Sequence, residues 1–197
     1  MTNDGIAVSR TWQLSVLDGG YPFQQVVVPP ERSGLLQPEI VQGELQKLDA
    51  IWSPVTPQFY WTSIFNRPID SVYQTTSPFG SRRDYNDGML FSIHAGQDFG
   101  APVGIPVLAP GNGVVVLAEP LQVRGNAVVI DHGGGVYSGY WHMSELRVVV
   151  GQSLNTGDVI GLVGNTGLST GAHLHWELHI YSVAVDPMQF LEEALLQ

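Results

Sequence analysis

The chain contains no cysteine among its 197 residues, which excludes disulfide bonds and thiolate metal sites. Any metal site must therefore use histidine, aspartate or glutamate. Positive charge is also scarce, because 8 lysine and arginine residues face 18 acidic residues and the formal net charge is −10. A molecule with such an excess of negative charge is a poor partner for nucleic acid or an anionic membrane surface.

Long apolar runs are missing as well. Stretches such as 113-GVVVLA-118 fall far short of the ~20 residues that a membrane-spanning helix needs. The first ten residues show no basic start followed by an apolar run, so we expect no secretion signal in this chain. The sequence thus predicts neither a membrane span nor a nucleic-acid partner.

The residues that are present favour a packed, mainly β structure. Hydrophobic residues make up 44%, and 23 glycines and 13 prolines punctuate the chain. The short connections predict antiparallel neighbours. The predicted strands are 113–118, 126–131, 135–143, 158–164 and 173–180.

The first 70 residues have a different texture. We expect extended segments at 12–17 and 24–28, and a helix at 36–52 because Val41, Leu45, Leu48 and Trp52 form one apolar stripe. Residues 53–70 resemble a linker with some strand at 58–65, and 187–197 a short helix. The predicted division is an accessory segment at 1–70, a domain at 71–190 and a C-terminal helix at 187–197.

Three short patterns could carry chemistry. In 173-HLH-175 both imidazoles share a strand face, and in 94-HAGQD-98 the bend allowed by Gly96 could bring His94 and Asp98 together. In 140-YWH-142, Tyr140 and His142 share a strand face by the same rule. Each pattern alone also fits surface or packing residues. Together they fit a catalytic zinc set of two histidines and one carboxylate, with a second, free histidine pair for acid–base work.

These patterns resemble, in order and spacing, the LytM/lysostaphin-type zinc metallopeptidases, which cut peptidoglycan peptides. The resemblance covers about residues 71–185, and the earlier segment is similar to the β segment and helix that precede some family members. The matching stretches are 76-TSPFGSRRD-84, 94-HAGQDFGAPVGIPVLAPGNGVVV-116, 125-GNAVVIDHGGGVYSGYWHMSEL-146 and 151-GQSLNTGDVIGLVGNTGLSTGAHLHWEL-178.

The resemblance implies a mainly β fold with an antiparallel sheet groove, barrel-sandwich-like elements and one Zn²⁺ per chain. It implies that His94, Asp98 and His175 are the zinc ligands. His142 and His173 would be the catalytic histidines that do not bind the metal, and Tyr140 could lend a hydroxyl group to the substrate or oxyanion. Peptidoglycan peptides would be the substrate, in the cell envelope or outside the cell, and neighbouring domains of a longer protein remain open.

Other interpretations stay open beside this one. A family member can be a latent or regulatory module that activates other wall hydrolases, or a zinc hydrolase of non-wall protein. A lipoyl-type carrier is excluded, because the sole lysine, Lys47, lies in the predicted helix. We expect His132 to be structural and His179 to lie ~13 Å along the strand from His175. We expect Arg82 and Arg83 to hold a loop, with contact to a substrate carboxylate as the alternative.

Overall fold

A computed structural model describes Gln13, Ser15 and residues 18–192. The predicted strand at 12–17 and the last five residues of the predicted C-terminal helix lie largely or wholly outside this part of the chain. The strands are β1 (Phe23–Val26), β2 (Thr75–Ser77), β3 (Arg82–Tyr85), β4 (Leu90–Ile93), β5 (Gly96–Gly100), β6 (Pro106–Leu108), β7 (Gly113–Leu121), β8 (Gly125–Gly133), β9 (Val136–Met143), β10 (Glu145–Leu146), β11 (Ser153–Leu154), β12 (Val159–Leu162), β13 (His173–Ile180) and β14 (Val183–Val185). The helices are α1 (Pro30–Ser33), α2 (Pro38–Trp52) and α3 (Gln189–Glu192), with a 3-10 turn at Gly34–Leu36.

An eight-stranded antiparallel sheet dominates the molecule. Its strands run in the order β11-β7-β8-β9-β13-β5-β2, and β14 also pairs with β13. A second antiparallel sheet has the order β10-β12-β6, and a third joins β1, β3 and β4. In the third sheet β1 runs parallel to β3, so the first strand pairs far along the chain instead of forming a local hairpin. The prediction of a mainly β, antiparallel fold is confirmed.

Both faces of the large sheet are covered, as alternation of the side chains requires. On one face, Val128, Ile130 and Tyr140 join the main core. On the other face, Val129 and Trp141 pack with Leu48 and Trp52 of α2.

Among the residues that the structure describes, no helix is long and apolar enough to cross a membrane.

Helix α2 confirms the predicted helix, with Pro38 in the first turn where its missing N–H group costs nothing. The buried residues of this helix are Glu44, Leu48 and Trp52, whereas Val41 and Leu45 are only partly buried. Glu44 accepts hydrogen bonds from the backbone N–H groups of Val123 and Arg124, at 2.8 and 3.0 Å, and pairs with the Arg124 guanidinium group. This buried carboxylate therefore ties the helix to the sheet.

The expectation of a strand at 58–65 is wrong. This segment forms one isolated bridge, between Phe59 and Gly133, and no strand. Phe65 and Ile69 are buried in the main core, and the Phe65 backbone N–H group donates to the Phe190 carbonyl group. The large apolar side chains therefore hold the segment against the core although it forms no regular ladder.

Candidate metal centre

Two neighbouring strands bring the candidate ligands together. In the antiparallel pair of β5 and β13, Asp98 lies directly opposite His175. His94 precedes β5, and its backbone exchanges hydrogen bonds with Gly80 and Ser81. Gly96 lies between His94 and Asp98 without a side chain, and a Cβ atom there would lie 2.8 Å from His175 Nε2. Glycine therefore permits the close approach that the sequence pattern suggested.

The donor atoms of His94, Asp98 and His175 converge on one point. Asp98 Oδ1 lies 3.1 Å from His94 Nε2 and 2.8 Å from His175 Nδ1, and these two nitrogen atoms are 2.9 Å apart. All three side chains are buried, and one donor atom from each lies within 4.8 Å of the others. Two imidazole nitrogens and one carboxylate oxygen are a donor set typical of zinc sites.

The surrounding hydrogen bonds fix which nitrogen of each ring faces this point. His94 Nδ1 lies 2.8 Å from the Pro78 carbonyl oxygen, which can only accept, so Nδ1 carries the hydrogen atom. His175 Nε2 lies 3.0 Å from Glu177 Oε1 and donates to that carboxylate. In its neutral form, each ring therefore directs the lone pair of its other nitrogen towards the cluster, as a metal ligand must.

Asp98 stays ionised despite its burial. Burial alone would raise its pKa, but the imidazoles of His175 and His94 outweigh that effect and hold the pKa well below the ordinary value. Its second oxygen, Oδ2, accepts a 2.5 Å hydrogen bond from Arg83 Nη2. Burial also opposes the charge of Arg83, yet the attraction of Asp98 raises the pKa of that guanidinium group.

His142 and His173 lie next to this cluster. Their ring centroids are 4.9 Å apart, and His142 lies 6.2 Å from the ring of His175. His142 Nδ1 donates to the Thr166 carbonyl group and His173 Nδ1 to the Gly171 carbonyl group, both at 2.8 Å. The Nε2 atom of each ring is thus left as the basic atom, and His173 Nε2 lies 3.8 Å from Asp98 Oδ1. Burial lowers the pKa of both imidazoles.

The backbone at His142 has a left-handed conformation, with φ of 64°. This turn breaks the alternation of β9, so the expectation that Tyr140 and His142 share a strand face is wrong. His142 lines the cleft, whereas Tyr140 is buried in the main core with its hydroxyl group 2.7 Å from Ser138 Oγ. Burial raises the pKa of Tyr140. We therefore leave Tyr140 out of the proposed set.

Arg83 and Glu177 were not placed in this centre by the sequence analysis. Arg83 was expected to hold a loop, but it pairs with Asp98. Glu177 was not singled out, although 173-HLHWELH-179 places His173, His175, Glu177 and His179 on one strand face by simple alternation. His132, expected to be structural, is fully buried with Nδ1 on the Asn112 carbonyl group and Nε2 on Ser138 Oγ, both at 2.7 Å.

A cleft of about 560 Å³ opens beside the cluster. One wall is formed by residues 24–28, which include most of β1, and another by residues 168–173. Asp98, His142 and His173 line this cleft together with Arg83. A buried histidine–aspartate–histidine cluster with two further histidines at an open cleft is an arrangement typical of metal-dependent hydrolases.

Comparison with known proteins specifies the class further. The model of peptidase family M23 matches residues 92–187. The peptidoglycan DD-endopeptidase ShyA of Vibrio cholerae is 41% identical over 122 residues, which are 62% of this chain and 28% of that protein. The chain thus spans little more than a quarter of the length of this curated relative.

Solved structures agree with this match. The catalytic domain of lysostaphin from Staphylococcus simulans is 32% identical, with a TM-score of 0.55, over 62% of this chain and 94% of that domain. A zinc-containing peptidase from Vibrio cholerae is 34% identical, with a TM-score of 0.61, over 67% of this chain and 40% of its own. The chain belongs to peptidase family M23, the LytM/lysostaphin type, as the resemblance implied.

Proposed function

We propose that this protein is a zinc-dependent endopeptidase that hydrolyses peptide bonds in bacterial peptidoglycan, in cross-links or stem peptides. The observation that carries the proposal is the convergence of two imidazole lone pairs and one ionised carboxylate oxygen beside two histidines with free Nε2 atoms. Membership of family M23 and the activity named for ShyA support the same class of reaction.

His94 Nε2, Asp98 Oδ1 and His175 Nδ1 would hold one Zn²⁺ ion. The cluster fits this metal because its donors are nitrogen and oxygen atoms of the preferred types, already oriented by Pro78 and Glu177. A zinc ion bound there supplies a Lewis acid that polarises the scissile carbonyl group and lowers the pKa of water at the site to about 7.

His142 and His173 would act as the general acid–base groups of the hydrolysis. Burial lowers the pKa of each, so both are neutral bases at neutral pH. One imidazole Nε2 accepts a proton from the attacking water and returns it to the leaving nitrogen as the C–N bond breaks, which yields a carboxylate and an amine. The other imidazole, also neutral, would orient the attacking water by accepting a hydrogen bond at its Nε2 atom.

The cleft supplies the place for an extended peptide. Its two walls, at 24–28 and 168–173, come from segments far apart in the chain, and the histidines line the cleft with them. We propose that residues 71–190 carry the chemistry while the segment at 1–70 contributes a wall and structural support. A peptidoglycan substrate would place the protein in the cell envelope or outside the cell.

Digestion of purified peptidoglycan tests this proposal. The zinc-loaded protein is incubated with sacculi of several wall types, and mass spectrometry identifies the products, with a chelator-treated sample as the control. New peptide termini that disappear with chelator are expected, and they name the bond. A zinc-bound protein that releases no product from any wall type would favour a latent or regulatory family member instead.

A second arm separates metal binding from chemistry. We expect His175→Ala to abolish both zinc binding and hydrolysis, because it removes a ligand. His142→Ala should bind zinc as the unaltered protein does and lose hydrolysis. Unchanged activity of His142→Ala would contradict the role proposed for that histidine.

A further inference from the structure

We propose that Trp52 of α2 is a positioning residue of the metal centre, which acts through His179 and Glu177 on the ligand His175. The inference rests on the proposed function, since it assigns a role to residues behind a proposed zinc ligand. It also extends the centre beyond residues 92–187, the part of the chain that the family model matches.

A continuous series of contacts joins the helix to the ligand. The ring of Trp52 stacks on that of His179, with centroids 4.1 Å apart and an interplanar angle of 8°. His179 Nε2 lies 2.9 Å from Glu177 Oε2, and Glu177 Oε1 lies 3.0 Å from His175 Nε2. All four side chains are buried, with exposed fractions from 2% to 7%.

The strand geometry explains why these groups meet. His175, Glu177 and His179 alternate along β13 and share one face. The intervening residues Leu174, Trp176 and Leu178 face the main core. A row of three polar side chains is therefore buried on the α2 side of the sheet, where burial would be costly unless each is hydrogen-bonded.

Each contact restricts the next one. Glu177 uses one carboxylate oxygen for each imidazole, so rotation of this carboxylate would break both hydrogen bonds. The stacked Trp52 ring limits rotation of the His179 ring, and that fixes the direction of the N–H bond towards Glu177. The orientation of Glu177 in turn determines the tautomer and ring plane of His175.

The helix that supplies Trp52 is itself held to the sheet. Glu44 lies on the same helix and accepts the hydrogen bonds from Val123 and Arg124 described above. This anchor, two turns before Trp52, fixes how the helix lies across β7, β8 and β9. Trp52 therefore forms a fixed surface behind His179.

The competing interpretation is that Trp52 only fills space in the second core. Leu48 provides a matched control, because it lies on the same helix, belongs to the same cluster and is 1% exposed. Its neighbours are apolar residues, so Leu48→Ala should lower the melting temperature without altering the metal centre. Trp52→Leu should alter both.

The experiment measures the zinc dissociation constant of the full chain by competition with a chromophoric chelator. The visible absorption spectrum of the Co²⁺-substituted protein is recorded as a second readout of ligand geometry. The variants are Glu177→Ala, His179→Phe, His179→Gln, Trp52→Leu, the double variant Trp52→Leu/His179→Phe, and Leu48→Ala. His179→Phe keeps an aromatic ring but loses the N–H donor, whereas His179→Gln keeps a donor.

We expect Glu177→Ala to weaken zinc binding about 10–100-fold, as loss of a partner behind a metal ligand does. Further along the series, at one and two contacts beyond Glu177, His179→Phe and Trp52→Leu should each weaken zinc binding about threefold to tenfold. His179→Gln should recover most of that loss. The double variant should bind zinc no more weakly than the weaker-binding of the two single variants, because both changes interrupt the same series of contacts.

The proposal is overturned if Trp52→Leu matches Leu48→Ala, with a lower melting temperature but unchanged zinc affinity and cobalt spectrum. Additive losses in the double variant would also overturn it. If the unaltered chain binds zinc, these results concern the positioning role alone. If it binds no zinc, the proposed function itself fails, and this inference fails with it.

Discussion

His142 combines a proposed chemical role with a strained backbone. Its left-handed φ of 64° is a conformation that costs a side chain other than glycine on the order of 1 kcal/mol. The backbone N–H group of His142 donates to the Arg124 carbonyl group at 2.8 Å, and Thr166 holds its ring. At the scale of single residues, the surrounding contacts thus keep one imidazole directed into the cleft.

We expect His173→Ala to retain zinc and to lower kcat about 10²–10⁴-fold, the contribution typical of one general acid or base. The reason is that His173 Nε2 lies beside the cluster without being one of its three converging donors. Steady-state kinetics on a defined peptide, with zinc content measured in parallel, checks this. Loss of zinc from the variant would instead make His173 a ligand.

His132 gives a prediction for pH. Burial lowers its pKa from the ordinary 6.5 to about 4, so the unfolded chain binds a proton that the folded chain does not between these values. Folding stability from this group is therefore complete above pH 6.5 and is lost as the pH falls towards 4, by about 3 kcal/mol. Urea unfolding of the zinc-free protein should show a flatter pH dependence over this range in His132→Gln. An unchanged slope would contradict the assignment.

Strand pairing sets the geometry of the centre at the scale of elements. Because β5 and β13 pair in the register that places Asp98 opposite His175, a shift of one residue would turn one ligand to the other face. Gly96 sits where the two strands approach, and a Cβ atom would lie 2.4 Å from the Trp176 carbonyl oxygen. That contact is with backbone, so the strands themselves would have to move.

We expect Gly96→Ala to lower stability by about 1–3 kcal/mol, the typical cost of overpacking, and to weaken zinc binding. Gly43→Ala is the matched control with the opposite sign. A Cβ atom at Gly43 meets nothing within 4 Å, on an exposed position inside α2. The free energy of unfolding of Gly43→Ala should rise by about 1 kcal/mol, since alanine favours a helix more than glycine does. Thermal unfolding and chelator competition measure both variants.

The whole molecule is more continuous than the division into an accessory segment and a catalytic domain suggests. Phe65 and Ile69 belong to the main core, and α2 covers Val129 and Trp141 on the other face of the sheet. A chain that starts at residue 71 would lack Phe65, Ile69 and α2, so Val129 and Trp141 would lose the helix that covers them and be exposed to water. We expect such a chain to aggregate or to unfold at a lower temperature than the full chain, as light scattering and thermal unfolding would show. Equal stability of the two chains would support the simpler division.

The elements that the sequence predicted are those with a local signal. Strands β7, β8, β9, β12 and β13 are short apolar runs between turn residues, and α2 carries an apolar stripe that ends at Trp52. The segment at 53–70 was misjudged because its core anchors, such as Phe65, have no period. The pairing of Arg83 with Asp98 depends on tertiary contact, which no local spacing encodes.

The stack of Trp52 on His179 has an optical consequence. An indole ring in face-to-face contact with an imidazole changes its fluorescence yield when that imidazole changes its orientation. Trp141 lies near the centre too, with its ring 6.5 Å from that of His175 at an angle of 23°. The protein therefore carries its own fluorophores beside the proposed metal site. The difference in emission between the unaltered chain and Trp52→Phe would report structural changes at that site without an added dye.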